Sequence, residues 1–324
     1  MRYRSELLFA AVAVACTLAP VGAAGSERIG LADDDSQRIW SKVEAIGAEL
    51  EALRFYMGKP VNKQPALDVN GADAREVYYQ LVATFRNAER LCFQHLREHS
   101  IARRPEGAEV TAADSLRMAD AVLSLLRKVR RHLGVEAPSG AGLPESEQTP
   151  SDLFCAVVQA NRQLNLLLDQ QVAPSDVFEQ VTRAVGYTAR LLEVFPDAVT
   201  IPAEPEYVVG RRPGDVYRRL LGCREIVREI SAGAGQPLLE LHVEEADIEQ
   251  AAPSDVYHLA SLVLSEVSYL HSQHGGLPEP PAVYYVGRKF PSDVYQRVGL
   301  LERQLTELRA HAGLQPDWLM TGAR

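Results

Sequence analysis

Beyond its first two dozen residues the chain has no apolar run long enough to cross a bilayer, so no later stretch reads as a membrane span. Positive charge is also in short supply. Lys and Arg number 34 against 43 Asp and Glu, for a formal net charge of −9, which argues against the basic face that a nucleic-acid binder needs. Cysteine is rare: Cys16, Cys92, Cys155 and Cys223 are the full set. Three of these lie beyond the leader, which permits one disulfide at most, and their apolar helical surroundings favour small buried hydrophobes over a bridge. The chain also lacks a glycine-rich phosphate loop, a G-x-S-x-G elbow, a C-x-x-C pair, and any two carboxylates paired by local spacing. No catalytic set is recognisable, and no cofactor is implied.

What is present begins with an export pattern. Arg2 and Arg4 precede an apolar run from Leu7, and small residues follow around Ala23 and Ala24. That order is the order of a secretory leader, with residues 1–24 as signal peptide and cleavage near Ala24. A periplasmic or secreted mature protein follows. Lipid attachment at Cys16 is the competing reading, weakened by Ala13, which stands where a lipoprotein leader usually has a branched residue.

One sequence pattern then dominates: "PSDVYHLASLVLSEVSYL" from Pro253, with near copies elsewhere. Aligned on the residue after the aspartate, the anchors are Leu153, Val177, Val216, Val256 and Val294, with Ile39, Val77 and, less clearly, Leu116 upstream. Consecutive anchors lie 37 to 40 residues apart, except for 24 between Leu153 and Val177. From each anchor apolar residues recur at +4, +7, +11 and +14, as in Val294, Val298, Leu301, Leu305 and Leu308. The third helix obeys the pattern only after a two-residue shift, to Met118, Val122, Leu125 and Val129. This 4-3-4-3 alternation is a narrow seam for helix-on-helix packing, and it predicts an all-α protein of eight amphipathic helices repeating every 39 residues or so.

The motif itself reads as a helix start. Ser151, Ser175, Gly214, Ser254 and Ser292 are expected as N-caps, with the aspartate in the first turn and the proline just outside. An aromatic follows the anchor in seven helices: Trp40, Tyr78, Phe154, Phe178, Tyr217, Tyr257 and Tyr295. These rings are expected to seal the bundle end, with a ligand pocket as the alternative.

Segments of some 15 to 20 residues rich in proline and glycine join most helices, long enough to run back and restart the next helix at the same end. Only "LDQQVAPSD" is short enough to force an antiparallel turn. The chain therefore divides into a first four-helix unit, 25–172, and a second, 173–324; a continuous helical array is the other solution.

Two sets of residues stand out as candidate sites. Tyr207, Arg211, Arg212, Tyr284, Tyr285, Arg288 and Lys289 put basic pairs beside tyrosines in extended linkers, a combination suited to a protein or peptide partner. Helix-terminal histidines form the second set, with His95, His99, His271 and His274 as conceivable metal ligands. "HLREH" at 95–99 spells the H-x-x-E-H order of inverted zincins but lacks their setting, so their activity is not carried over. The leading expectation is an exported, non-catalytic binding or scaffold protein of the bacterial envelope; a metal or ligand sensor is the alternative.

Overall fold

A computed structural model describes residues 33–101, 110–138, 148–168, 172–236, 238–274, 276–283, 287–315 and 317–319. The expected leader, Cys16 and the pair Tyr284–Tyr285 lie outside these residues. The all-α expectation holds. The helices are α1 (Asp33–Tyr56), α2 (Ala74–Leu96), α3 (Ala112–His132), α4 (Pro150–Leu167), α5 (Pro174–Leu192), α6 (Pro213–Gly233), α7 (Glu245–Glu249), α8 (Pro253–His274) and α9 (Pro291–Leu314). Eight of them carry seams; α7 is one extra turn inside a linker. Two further linker pieces, β1 (Asp68–Asn70) and β2 (Glu240–His242), pair antiparallel with Val69 opposite Leu241.

The helix starts correct the expected cap register. Proline is itself the first helical residue in α4, α5, α6 and α9, and the cap is the residue before it: Thr149, Ala173, Arg212 and Phe290. Proline suits that position because its missing N–H would have had no partner in the helix. The aspartate, now third, turns back on the cap. Asp152, Asp176, Asp215, Asp255 and Asp293 accept from the backbone N–H of Thr149, Ala173, Arg212, Ala252 and Phe290 at 2.7 to 2.9 Å. Glu76 and Asp114 do the same for α2 and α3. The cap needs no polar side chain of its own, so alanine, arginine and phenylalanine serve.

The serine thus has another role. Ser151 Oγ accepts from the N–H of Ala72, Ser292 Oγ from Arg211 and Ser175 Oγ from Lys289, at 3.1, 3.2 and 3.0 Å. Each bond ties the chain entering one helix to the first turn of a neighbour. Gly214 replaces serine for a steric reason: a Cβ there would meet the Ile248 carbonyl oxygen of α7 at 2.5 Å.

The seams face inward. Val294, Val298, Leu301, Leu305 and Leu308 are all buried, as are Ile39, Val43, Ile46, Leu50 and Leu53. In α3 the expected Met118, Val122, Leu125 and Val129 are buried, but the anchor is not Leu116. Counted from Asp114, the anchor is Ser115, and Ser115, Ala119, Val122, Leu126 and Val129 are each 0% exposed. A serine at the anchor disguised a regular helix; its hydroxyl, bonded to the Ala74 carbonyl at 3.4 Å, makes its burial tolerable.

Contacts fall in two rings. In the first, α1 and α2 each touch α3 and α4; in the second, α5 and α6 each touch α8 and α9. Helices consecutive in sequence, α1 with α2 and α5 with α6, therefore lie across a diagonal. Within a ring all helices run the same way. Lys42 meets Asp120, and Glu49 meets Arg127 and Arg130, at matching depths in α1 and α3. At the other ring's head Pro174, Pro213, Pro253 and Pro291 surround Val177, Val216, Val256 and Val294. The linkers make this possible. Residues 60–72 return along α4, from Gln163 past Gln159 and Cys155 to Ser151. Residues 199–211 return along α9, from Glu307 past Gln304 and Gln296 to Ser292. The rings themselves pack antiparallel: Arg90 near the end of α2 meets Asp176 at the start of α5.

Candidate functional site

The basic residues chosen from sequence gather where α6 and α9 begin. Arg211 lies 4.3 Å over the ring of Tyr295, and Arg219 lies 4.5 Å from the same ring. Lys289 Nζ sits 4.6 Å over Phe178, which Arg297 also approaches at 4.9 Å. The aromatic slot thus has a use that sequence did not suggest. In α6 and α9 the residue two before the proline docks twice on the neighbouring helix, by its N–H on the serine and by its cation on the ring. The bundle head is closed by prolines and valines, while the rings sit sideways between helices. Arg212 and Arg288 remain exposed, next to Tyr207, Val208, Val209 at 82% and Phe290 at 54% exposure. The result is an apolar surface with exposed cations, beside helix starts anchored through Arg211 and Lys289.

The histidines are dispersed. Because the rings are antiparallel, those ending α2 and α3 lie at the opposite end of the molecule from those ending α8 and α9. His95 and His99 do not share a helix: α2 stops at Leu96 and Arg97 turns left-handed (φ 59°). His99 instead stacks on Phe93 and bonds Glu89 at 2.8 Å. His271 Nε2 bonds the Pro278 carbonyl at 3.2 Å, and burial lowers its basicity, overriding the helix-end dipole expected to favour its charged form. Among the described residues no three His, Cys, Asp or Glu side chains converge in a metal-holding group. Cys92, Cys155 and Cys223 are free thiols.

Sequence reasoning missed the polar layer between the rings. Arg75 of α2 bonds Glu76 at 2.6 Å, reaches Glu266 of α8 at 3.6 Å and lies over Tyr269 at 4.3 Å. Arg224 of α6 completes the group, donating to the Leu239 carbonyl. Glu76 and Glu266 are 1% and 2% exposed; burial, opposed by Arg75, pushes the Glu266 carboxyl above its ordinary range. Acid/base chemistry could use such a pair, but both carboxylates are buried. Deeper along α8, Asn87 donates to Asn161 at 2.8 Å, and Asn161 donates to His258 Nε2 at 3.0 Å. The ring nitrogen must accept, so His258 is neutral, and burial lowers its pKa to about 3. Near this chain Arg162 reaches Asp255 at 3.5 Å and Gln64 donates to it at 2.9 Å.

A second polar pocket lies between α2, α5 and α8, bounded by Tyr79, Arg86, Gln180, Arg183, Ser261 and Ser268. It differs from the layer above in holding two arginines that have no ion-paired carboxylate among the described residues.

No family model, no curated protein and no solved structure matches this chain, so the functional reading rests on its own geometry.

Proposed function

We propose that this chain is an exported, non-catalytic helical binding or scaffold protein of the bacterial cell envelope, gripping a protein partner at the head of its second ring. The leader-like N-terminus supports export. The observation that carries the binding reading is the exposed set of Val209, Phe290, Arg212 and Arg288 on anchored helix starts. Rigid apolar side chains flanked by cations bind at low entropic cost, and the cations select an acidic rim on the partner.

A photo-crosslinking residue at Val209 tests this in envelope extracts, with one at exposed Glu136 as control. A discrete adduct is expected from Val209 alone, and Phe290→Asp should remove it while leaving the helical circular-dichroism signal intact. Equal labelling from both positions, or an adduct indifferent to Phe290→Asp, refutes the reading.

A further inference from the structure

Buried arginines in this fold come with partners. Arg75 has Glu76 and Glu266, Arg162 has Asp255, and Arg224 has a backbone carbonyl. Arg86 and Arg183, both half-buried, have no ion pair among the described residues. They line one cavity of about 70 Å3 at the junction of the two rings, α2 supplying the first and α5 the second. Arg86 Nη1 donates to Gln180 Oε1 at 3.0 Å and is in no ion pair among the described residues. Arg183 makes neither a hydrogen bond nor an ion pair among them. Its basicity is lowered by burial and then by the positive charge of Arg86, so the two cations are close enough to repel.

The rest of the lining mixes hydroxyls with the apolar side chains of Val82, Ala83 and Leu264. Ser261 Oγ is buried without a hydrogen-bond partner. Tyr79, Ser265 and Ser268 add hydroxyls, and the Tyr187 hydroxyl closes one side, donating to Glu279 at 2.9 Å. The nearby acid Glu179 forms no ion pair with either arginine among the described residues. A cavity of this size holds a few waters or one five-atom oxyanion. Two guanidinium forks and a free hydroxyl match the oxygens of such an anion. Leaving them without one keeps two like charges partly desolvated in one cavity.

We propose that this cavity is a binding site for a small oxyanion of the phosphate or sulfate class, held by Arg86, Arg183 and Ser261 across the junction of the two rings. The anion supplies the negative charge that the sequence omits and fastens α2 to α5. The site is separate from the partner face at Val209 and Phe290, and either can fail without the other.

Thermal unfolding of the full mature chain in sodium chloride, with phosphate, sulfate or glycerol 3-phosphate added at constant ionic strength, tests the idea. A saturable rise of several degrees is expected with phosphate or sulfate. A matching rise with the ester places the natural occupant on a larger phosphorylated molecule; its absence confines the site to the free ion. Arg183→Met should raise the midpoint in chloride, by removing the repulsion, and abolish the response to phosphate. Ser261→Asp, which builds a carboxylate into the cavity, should do likewise, and it serves if the first variant does not fold. No saturable rise in the native chain, or an undiminished rise in both variants, overturns the proposal.

Discussion

At the scale of single residues, the recurring proline, serine and aspartate divide three tasks. Proline sets the start, aspartate satisfies the cap N–H, and serine anchors a neighbouring segment. The aspartate carries a further burden here because helices in a ring point the same way. Four positive dipole ends share one face, and a carboxylate in each first turn offsets them. Asp293→Ala should therefore cost about 1 kcal/mol in a denaturant titration. Asp293→Asn, which keeps an acceptor but loses the charge, should cost less, and the gap between that variant and the native chain should narrow at high salt. The motif was legible as a start signal but not in register, since ranked cap preferences favour serine over alanine, arginine or phenylalanine. Tertiary ties decided otherwise: Ser175 and Ser292 are held by Lys289 and Arg211 from a different part of the chain.

At the scale of elements, α8 is the hinge of the design, touching α5, α6, α2 and α4. Its seam was plain from periodicity. Its other faces were not, because a buried glutamate or histidine looks like a surface residue until its distant partner is known. Glu266 finds Arg75, and His258 finds Asn161, only in the folded chain. These two groups give α8 opposing pH responses. The fold holds His258 neutral, with its pKa down from 6.5 to about 3, so the unfolded chain binds the extra proton between those values and stability falls as pH drops below 6.5. The Glu266 carboxyl is raised above 4.5, so here the folded chain holds the extra proton, and stability falls as pH climbs above 4.5 toward the raised value. Midpoints measured across this range should show His258→Gln flattening the acid limb and Glu266→Gln the neutral one. A native profile unchanged by either substitution would place the linkage elsewhere.

At the scale of the whole molecule, the linkers were the informative part of the sequence. Their length permits every helix of a ring to restart at the same end, and the short joint between α4 and α5 turns the second ring against the first. What connects the rings was hidden, since its members are polar, scattered and unremarkable in their local context. Each helix seam is buried against helices of its own ring, while the apolar residues of both rings join in one cluster beside the α2–α8 layer, where Arg75 pairs with Glu266. A fragment 172–319 is therefore expected to show a cooperative thermal transition by circular dichroism, at a lower midpoint than the whole chain. A featureless melt would mean that the rings form one inseparable core.

The diagonal placement of successive helices also sets a timetable for synthesis. A hairpin protein can close its first pair of helices as soon as both have emerged. Here α1 has nothing to lie against until α3 appears, and its cage is finished only by α4. The nascent N-terminal half must therefore wait, its greasy edges unpartnered, until roughly half the polypeptide has been made.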